Sequence, residues 1–314
     1  MHELSDNRVL RDTGARYPIF NAPVGYFARS GLAGAVSAAG GMGLMEMTST
    51  GVEKTAREAA IIRERTQNPF GQHMFISALR DRLDEVLDWA LGQATFLASC
   101  AGNPKKVMPR VLETGIPLYH QVGSLDEALK AVDAGVSGLI VEGAEAGGLR
   151  STRSPHLFTL LQQIRRRVEV PLVAAGGIVD GVGMAAAFAL GAEGVMMGTR
   201  FMSCAESPVH ENWKQAVADC DVTLNIDPGM PNLRMRVVRN ELSESVERGD
   251  VDPKGNPYAG PFMEAFRDGR LDRAMVGCGE SATLVTEIKT AAEIIDETMT
   301  GFWREIDRLA ALRG

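Results

Sequence analysis

Residues 170–203, VPLVAAGGIVDGVGMAAAFALGAEGVMMGTRFMS, read as strand, loop, helix, strand, loop. Pro171 to Ala174 is a short apolar run that stops at Gly176-Gly177. Asp180 has the side chain of an N-cap for an Ala-rich helix from Gly181 to Leu190, which Gly191 ends. A second apolar run, Gly194 to Met197, stops at Gly198-Thr199. Two parallel strands therefore each end in a glycine-led turn, one β/α unit apart. Glycine lets backbone N–H groups come close to an anion, and Thr199 adds a hydroxyl donor. One Gly-Gly turn alone is only a tight turn. Two on neighbouring strands predict a phosphate site of the kind that recurs after the last two strands of (β/α)₈ barrels. The spacing leaves open whether the phosphate belongs to a flavin or to a sugar.

Working outward, the same alternation fills the first two thirds of the chain. Strands are predicted at 17–23, 43–46, 69–76, 94–99, 117–121 and 137–142 before the pair above. Helices are predicted between them at 30–39, 52–66, 82–91, 104–114, 125–134 and 155–168, and a further one at 208–218. Leu83, Val86, Leu87 and Ala90 show the i, i+3, i+4, i+7 pattern of an amphipathic helix. Ser124 with Glu127 is a capping box. Eight short apolar strands at regular spacing predict a closed (β/α)₈ TIM barrel rather than an open sheet, which needs fewer units.

Composition shifts after Asp221. Residues 221–282 are rich in proline, glycine and charge and lack β/α alternation, with helices predicted at 233–248 and 260–268. Residues 283–306 resume a strong helix pattern that must pack on something. The predicted organisation is a barrel over 1–220, an inserted lid-like segment over 221–282 near the active-site face, and a C-terminal helix within 283–314 that returns to the barrel.

The 314 residues, 45% of them hydrophobic, suffice for a large core. A net charge of −7 and the lack of a long basic run argue against nucleic acid or an anionic membrane as partner. No stretch of 18 uninterrupted apolar residues exists and the N-terminus has no apolar core, so a cytoplasmic protein is expected. Cys100, Cys204, Cys220 and Cys278 form no C-x-x-C pair and read as reduced packing thiols. The histidines, at 2, 73, 120, 156 and 210, are too scattered for a sequence-local metal site; none is expected.

Five segments together resemble the nitronate monooxygenases (2-nitropropane dioxygenases) and their relatives, the FMN-dependent enoyl-acyl-carrier-protein reductases and quinone reductases. They are NAPVGYFARSGLAGAVSAAGGMGLME at 21–46, PFGQHMF at 69–75, VEGAEAGGLRS at 141–151, VAAGGIVDGVGMAAAFALGAEGVMMGTRF at 173–201 and GESATLVTEIKTAAEII at 279–295. The resemblance implies FMN, a TIM barrel and an insertion over the flavin. It implies that Asn21, Ala22, Pro23 and Val24 lie along the flavin ring and that Gly147 and Gly148 let a loop approach it. Gly176, Gly177, Gly198 and Thr199 would hold the phosphate, with Gln121, Glu142 and His73 completing the cofactor surround. Residues 277–281 would pass near the ring or merely start a helix.

Three positions depart from the family. Leu149 stands where the family has a histidine after E-A-G-G. His73 stands in place of a third-strand asparagine, and Gln121 follows His120 where some relatives have a lysine. The family histidine takes a proton from the substrate carbon, which leucine cannot do. His73 and His120, near the ends of strands three and five, are the candidate substitute acids or bases. Glu142 and Glu145 read as acceptors that fix their turn rather than as an acid–base pair. His156 and His210 read as surface residues, Arg200 as an ion-pair partner, and the Met42, Met45, Met47, Met74, Met196, Met197 set as barrel packing. The main functional expectation is oxidation of nitronates or a related small organic substrate with oxygen as acceptor. NAD(P)H-driven reduction of enoyl thioesters or quinones is the alternative, and a non-redox phosphosugar lyase or isomerase the alternative from another class.

Overall fold

The predicted alternation closes into a barrel. The computed structural model describes residues 4–251 and 261–313. Its eight parallel strands are β1 (Ile19–Asn21), β2 (Gly43–Glu46), β3 (Phe70–Phe75), β4 (Leu97–Cys100), β5 (Leu118–Val122), β6 (Gly138–Glu142), β8 (Leu172–Ala175) and β9 (Gly194–Met197). They run in the order β1-β9-β8-β6-β5-β4-β3-β2, and a parallel bridge between Phe20 and Met42 joins the two ends. The seam is held by a side chain. Asn21 donates through Nδ2 to the Leu44 carbonyl at 2.9 Å and accepts the Leu44 N–H through Oδ1 at 2.9 Å, standing in for a ladder pair.

Successive strand residues point to opposite faces, which sorts this barrel into two apolar layers. Phe20, Met42, Leu44, Phe96, Ala98, Tyr119, Ile140, Val173, Ala175 and Met196 fill the interior. Ile19, Met74, Leu97, Leu118, Val122, Leu139, Val141, Leu172, Val195 and Met197 face the surrounding helices. The expected methionine packing is thus divided between the two. The interior is tight enough that a side chain at Gly138 would run into the Tyr119 ring. The Tyr119 hydroxyl meets Asp12 Oδ2 at 2.8 Å, and Val9 joins the same interior cluster. A short helix, Arg8–Thr13, therefore plugs the bottom of the barrel.

Two expectations about the C-terminal third are corrected. The predicted helix over 233–248 is a strand, β11 (Leu233–Val238), followed by a shorter helix, Glu241–Arg248. Leu233, Met235 and Val237 alternate with polar residues at period two, and Asn240 with Ser243 forms a capping box that starts the helix only at 241. β11 pairs with β10 (Thr223–Ile226) and with β7 (Gly148–Ser151), a strand that leaves the turn after β6, to make a three-stranded antiparallel sheet. The predicted helix over 283–306 begins late, at Ala291, and runs to Ala310. Thr290 and Glu293 cap each other there, so residues before 290 cannot be helix interior. This helix packs on Gly181–Ala189 so closely that a Cβ at Gly181 would strike the backbone at Gly301 and Phe302. The helix expected at 260–268 is observed as Pro261–Asp268; residue 260, like 252–260 of the expected lid, lies outside the described residues. It packs through Phe262 and Phe266 edge-on against Phe27, and Phe262 also against Trp213. No helix among the described residues is long and apolar enough to cross a membrane.

Candidate active site

The inward positions at the C-terminal strand ends are Glu46, His73, Cys100, Gln121, Glu142, Ala175 and Gly198, by continuation of the interior alternation. Polar groups are costly in such a place unless they have partners or a ligand. Glu46 is fully spoken for. It accepts Thr48 N at 2.5 Å, Ser49 N at 3.1 Å and Ser49 Oγ at 2.5 Å, and it pairs with Arg29 at 3.3 Å. Cys100 is buried, and burial together with the charges of Glu142 and Glu46 keeps it a thiol. Gln121 and Glu142 are only part-buried and stand side by side at the mouth. Burial lifts the Glu142 carboxyl to about 7, against the opposing pull of Gln121 and Arg150.

The two candidate histidines are placed differently. His73 points inward and is fully buried, and neither ring nitrogen has a hydrogen-bond partner. Its ring meets Phe75 edge-on at 4.8 Å, and burial lowers its pKa to about 3, so it is a neutral imidazole. His120 lies on the other face of β5 from Tyr119 and Gln121. It bonds through Nδ1 to Ser99 Oγ at 2.8 Å, and burial lowers it to about 4. The structure thus brings His73 to the interior of the site and His120 to the helical layer beside it.

The glycine turns meet at one side of the mouth. Gly176 and Gly177 have φ of +99° and +73°, conformations that glycine adopts without cost. The N–H groups of Gly176, Gly177, Gly198 and Thr199 have no protein acceptor among the described residues, while Gly176, Gly177 and Gly198 are open to solvent. The turns predicted to hold a phosphate therefore present unused donors. A Cβ at Gly198 would meet only Ala22 Cβ, at 3.5 Å, which keeps that side clear. Ala22 packs on the interior cluster and its N–H reaches the Met197 carbonyl at 2.9 Å, so the 22–24 turn, with Pro23 and Val24, borders the same space. Asn21 contributes through the seam rather than by facing the mouth.

The turn after β6 closes the other side. Gly147 lies against the backbone of Cys278 and Gly279, where a Cβ would approach to 2.9 Å. Gly279 donates its N–H to Thr199 Oγ1 at 2.7 Å, and Glu280 donates its N–H to the Glu145 carbonyl at 2.8 Å. Residues 277–281 thus join the β6 and β9 turns; a 3₁₀ turn, Glu280–Leu284, follows. Glu145 fixes its turn as expected, accepting Leu157 N at 2.9 Å. Gly148 begins β7, and Leu149 pairs with Met235 and packs on the apolar side of the small sheet. Among the residues that sequence reading passed over, Arg150 and Arg236 are buried in that sheet. His156 is exposed as expected, and Arg200 donates to the Glu287 carbonyl at 2.8 Å rather than to a carboxylate. No group of three or more metal-ligating side chains exists among the described residues.

The nitronate monooxygenase family model matches residues 8–301. The chain belongs to the nitronate monooxygenase family. Proteins similar to the chain include a (3aS,4S,5R,7aS)-5-hydroxy-7a-methyl-1-oxo-octahydro-1H-indene-4-carboxyl-CoA dehydrogenase of Rhodococcus jostii, 31% identical over 93% of this chain and 79% of that protein. Among solved structures, FabK from Thermotoga maritima superposes with a TM-score of 0.88 at 30% identity, covering 98% of this chain and 99% of that one. A nitroalkane oxidase from Streptomyces ansochromogenes shares the fold at a TM-score of 0.83 and 23% identity, over 94% and 98% of the two chains. The nitronate monooxygenase family and these relatives make the chain an oxidoreductase.

Proposed function

We propose that this member of the family is an FMN-dependent oxidoreductase that acts on a substrate needing no proton abstraction by a residue at position 149. The unused donors of Gly176, Gly177, Gly198 and Thr199 carry the cofactor reading, because four convergent N–H groups with a hydroxyl suit a phosphate dianion. Thr199 Oγ1 already accepts from Gly279, which leaves its own O–H free to donate. Ala22–Val24, His73, Gln121, Glu142, Gly147 and Gly148 surround the remaining space. Bound FMN supplies the redox chemistry, and the protein supplies binding, orientation and electrostatics.

The chain's own groups then divide the work. Neutral His73 offers one ring N–H and one lone pair inside the barrel mouth, with nothing else to bond to. Glu142 holds its proton up to about neutrality and can exchange it with a bound group beside Gln121. His120 positions Ser99 and the β4–β5 edge. Leu149 is committed to the apolar sheet face. A nitronate, already deprotonated, fits this set. A thioester substrate is the second reading, favoured by the carboxyl-CoA dehydrogenase relative. Purified protein should be yellow and should release FMN on denaturation. Colourless protein that gains no thermal stability from added FMN would sink the proposal.

A further inference from the structure

The small sheet carries charges that lie outside the proposed cofactor residues. Leu149, Met235 and Val237 point to its apolar side, with Ile226. Its other side therefore carries Arg150 from β7, Arg234 and Arg236 from β11, and Thr223 and Asn225 from β10. Arg150 lies directly across from Arg234, and Arg236 sits on the diagonal. Arg234 is half-buried and pairs with Asp227 at 3.1 Å. Arg150 and Arg236 are 6% and 9% exposed.

These two guanidiniums are under-satisfied. Arg150 donates through Nη1 to the Ala144 carbonyl and through Nη2 to Asn225 Oδ1 at 3.2 Å. Arg236 donates to Thr223 Oγ1 at 3.1 Å and pairs at 3.4 Å with Glu280, whose side chain is half exposed. The Nε–H of each has no acceptor. Arg150 has no ion pair among the described residues; Glu142, Glu145 and Glu280 act on it only from a distance, and burial and the like charge of Arg236 outweigh them. Like charges buried side by side are costly until an anion joins them. The guanidinium fork matches carboxylate and phosphate oxygens. The pair also borders the mouth: Arg150 reaches Ala144 in the β6 turn, and the Arg236 carbonyl accepts Cys278 N at 3.1 Å.

We propose that Arg150 and Arg236 form an oxyanion clamp beside the flavin site, which takes a carboxylate or phosphate group of the substrate. Calling the ligand a substrate rests on the oxidoreductase reading; the anion binding does not. The test is thermal unfolding of the holoprotein and of Arg150→Met and Arg236→Met, each with sodium pyrophosphate, with sodium succinate and with sodium chloride at matched ionic strength. The wild type should be stabilised by one of the two oxyanions beyond chloride, and each variant should need at least tenfold more of it, with bound flavin per chain unchanged. A pyrophosphate response assigns a phosphate group, a succinate response a carboxylate. No response in the wild type, or an equal response in the variants, overturns the clamp. Loss of flavin from the variants overturns it too, because the pair would then hold the cofactor. If the methionine variants do not fold, Arg150→Lys and Arg236→Lys decide: they keep the charge and lose the fork, and unweakened binding would refute the proposal. Colourless protein that still binds the oxyanion would fail the flavin reading while leaving the clamp intact.

Discussion

Thr199 Oγ1 accepts the backbone N–H of Gly279 at 2.7 Å, across 80 residues of sequence. That one bond ties the turn that follows β9 to the segment that covers it. Its donor and acceptor are both buried, so removing the hydroxyl leaves a buried N–H without a partner.

Thr199→Val should therefore destabilise the protein by about 1–3 kcal/mol. It should also speed amide exchange across residues 277–281 and weaken FMN retention, because the hydroxyl donor is lost with the acceptor. Thr199→Ser should restore both. Hydrogen exchange and flavin content on the three proteins would check this; a Val variant with wild-type exchange at 277–281 would show that the bond does not hold the segment.

Gly198 and Gly181 should respond in opposite ways to added bulk. Gly198 has φ of −90° and meets only Ala22 Cβ at ordinary contact distance. Gly198→Val should fold and melt like the flavin-free wild type while losing FMN. Gly181→Ala pushes a methyl into the backbone of the last helix. It should cost about 1–3 kcal/mol or more as overpacking, with FMN still bound by whatever remains folded. Full flavin occupancy in Gly198→Val would refute the phosphate assignment.

The barrel was legible because its strands are short, apolar and regularly spaced, and because glycine turns mark their ends. The paired Gly176-Gly177 and Gly198-Thr199 turns could be read for the same reason. The small sheet was not legible. β7 is four residues inside a turn whose Gly147-Gly148 spacing speaks first of loop geometry, and its partner strand β11 lies 82–88 residues on. Without that sheet, Arg150 and Arg236 look like scattered charges, and Leu149 looks like a missing base rather than a packed residue. Ser99 and His120 show a further limit: strand ends can be counted from sequence, but one residue of register decides whether a side chain enters the barrel or leaves it.

The pH dependence should separate Glu142 from His73. Glu142 has its folded-state pKa raised to about 7, so the folded protein binds more protons than the unfolded chain between the ordinary carboxylate value and 7. Its contribution is fully present at low pH and is lost as pH rises through that window. His73 is the reverse case. Its pKa is lowered from 6.5 to about 3, so the unfolded chain binds the extra proton and stability falls as pH drops from 6.5 towards 3. Glu142→Gln should flatten the slope near neutrality, and His73→Asn the slope on the acid side. Urea unfolding at a series of pH values would test both signs, and a turnover limb near pH 7 that survives Glu142→Gln would remove Glu142 as its source.

The last prediction concerns the proton that a neutral nitroalkane must lose. Leu149 has no titratable group and packs, partly buried, on the apolar face of the small sheet, so it cannot abstract a proton. Oxygen consumption should be negligible with neutral nitroalkanes and measurable with the matching nitronates or with a thioester substrate. Leu149→His should not rescue the neutral form, because the new ring would sit beside Met235 rather than over the mouth. His73→Ala should lower turnover by about 10²-fold or more if its free ring nitrogen serves a reacting group. His120→Ala should act mainly through stability, because its ring bonds Ser99 on the far face of β5. Efficient turnover of the neutral form by the wild type would show that another base fills the gap. Glu142→Gln and His73→Ala would then identify it, and loss of turnover in neither would strike both from the catalytic set.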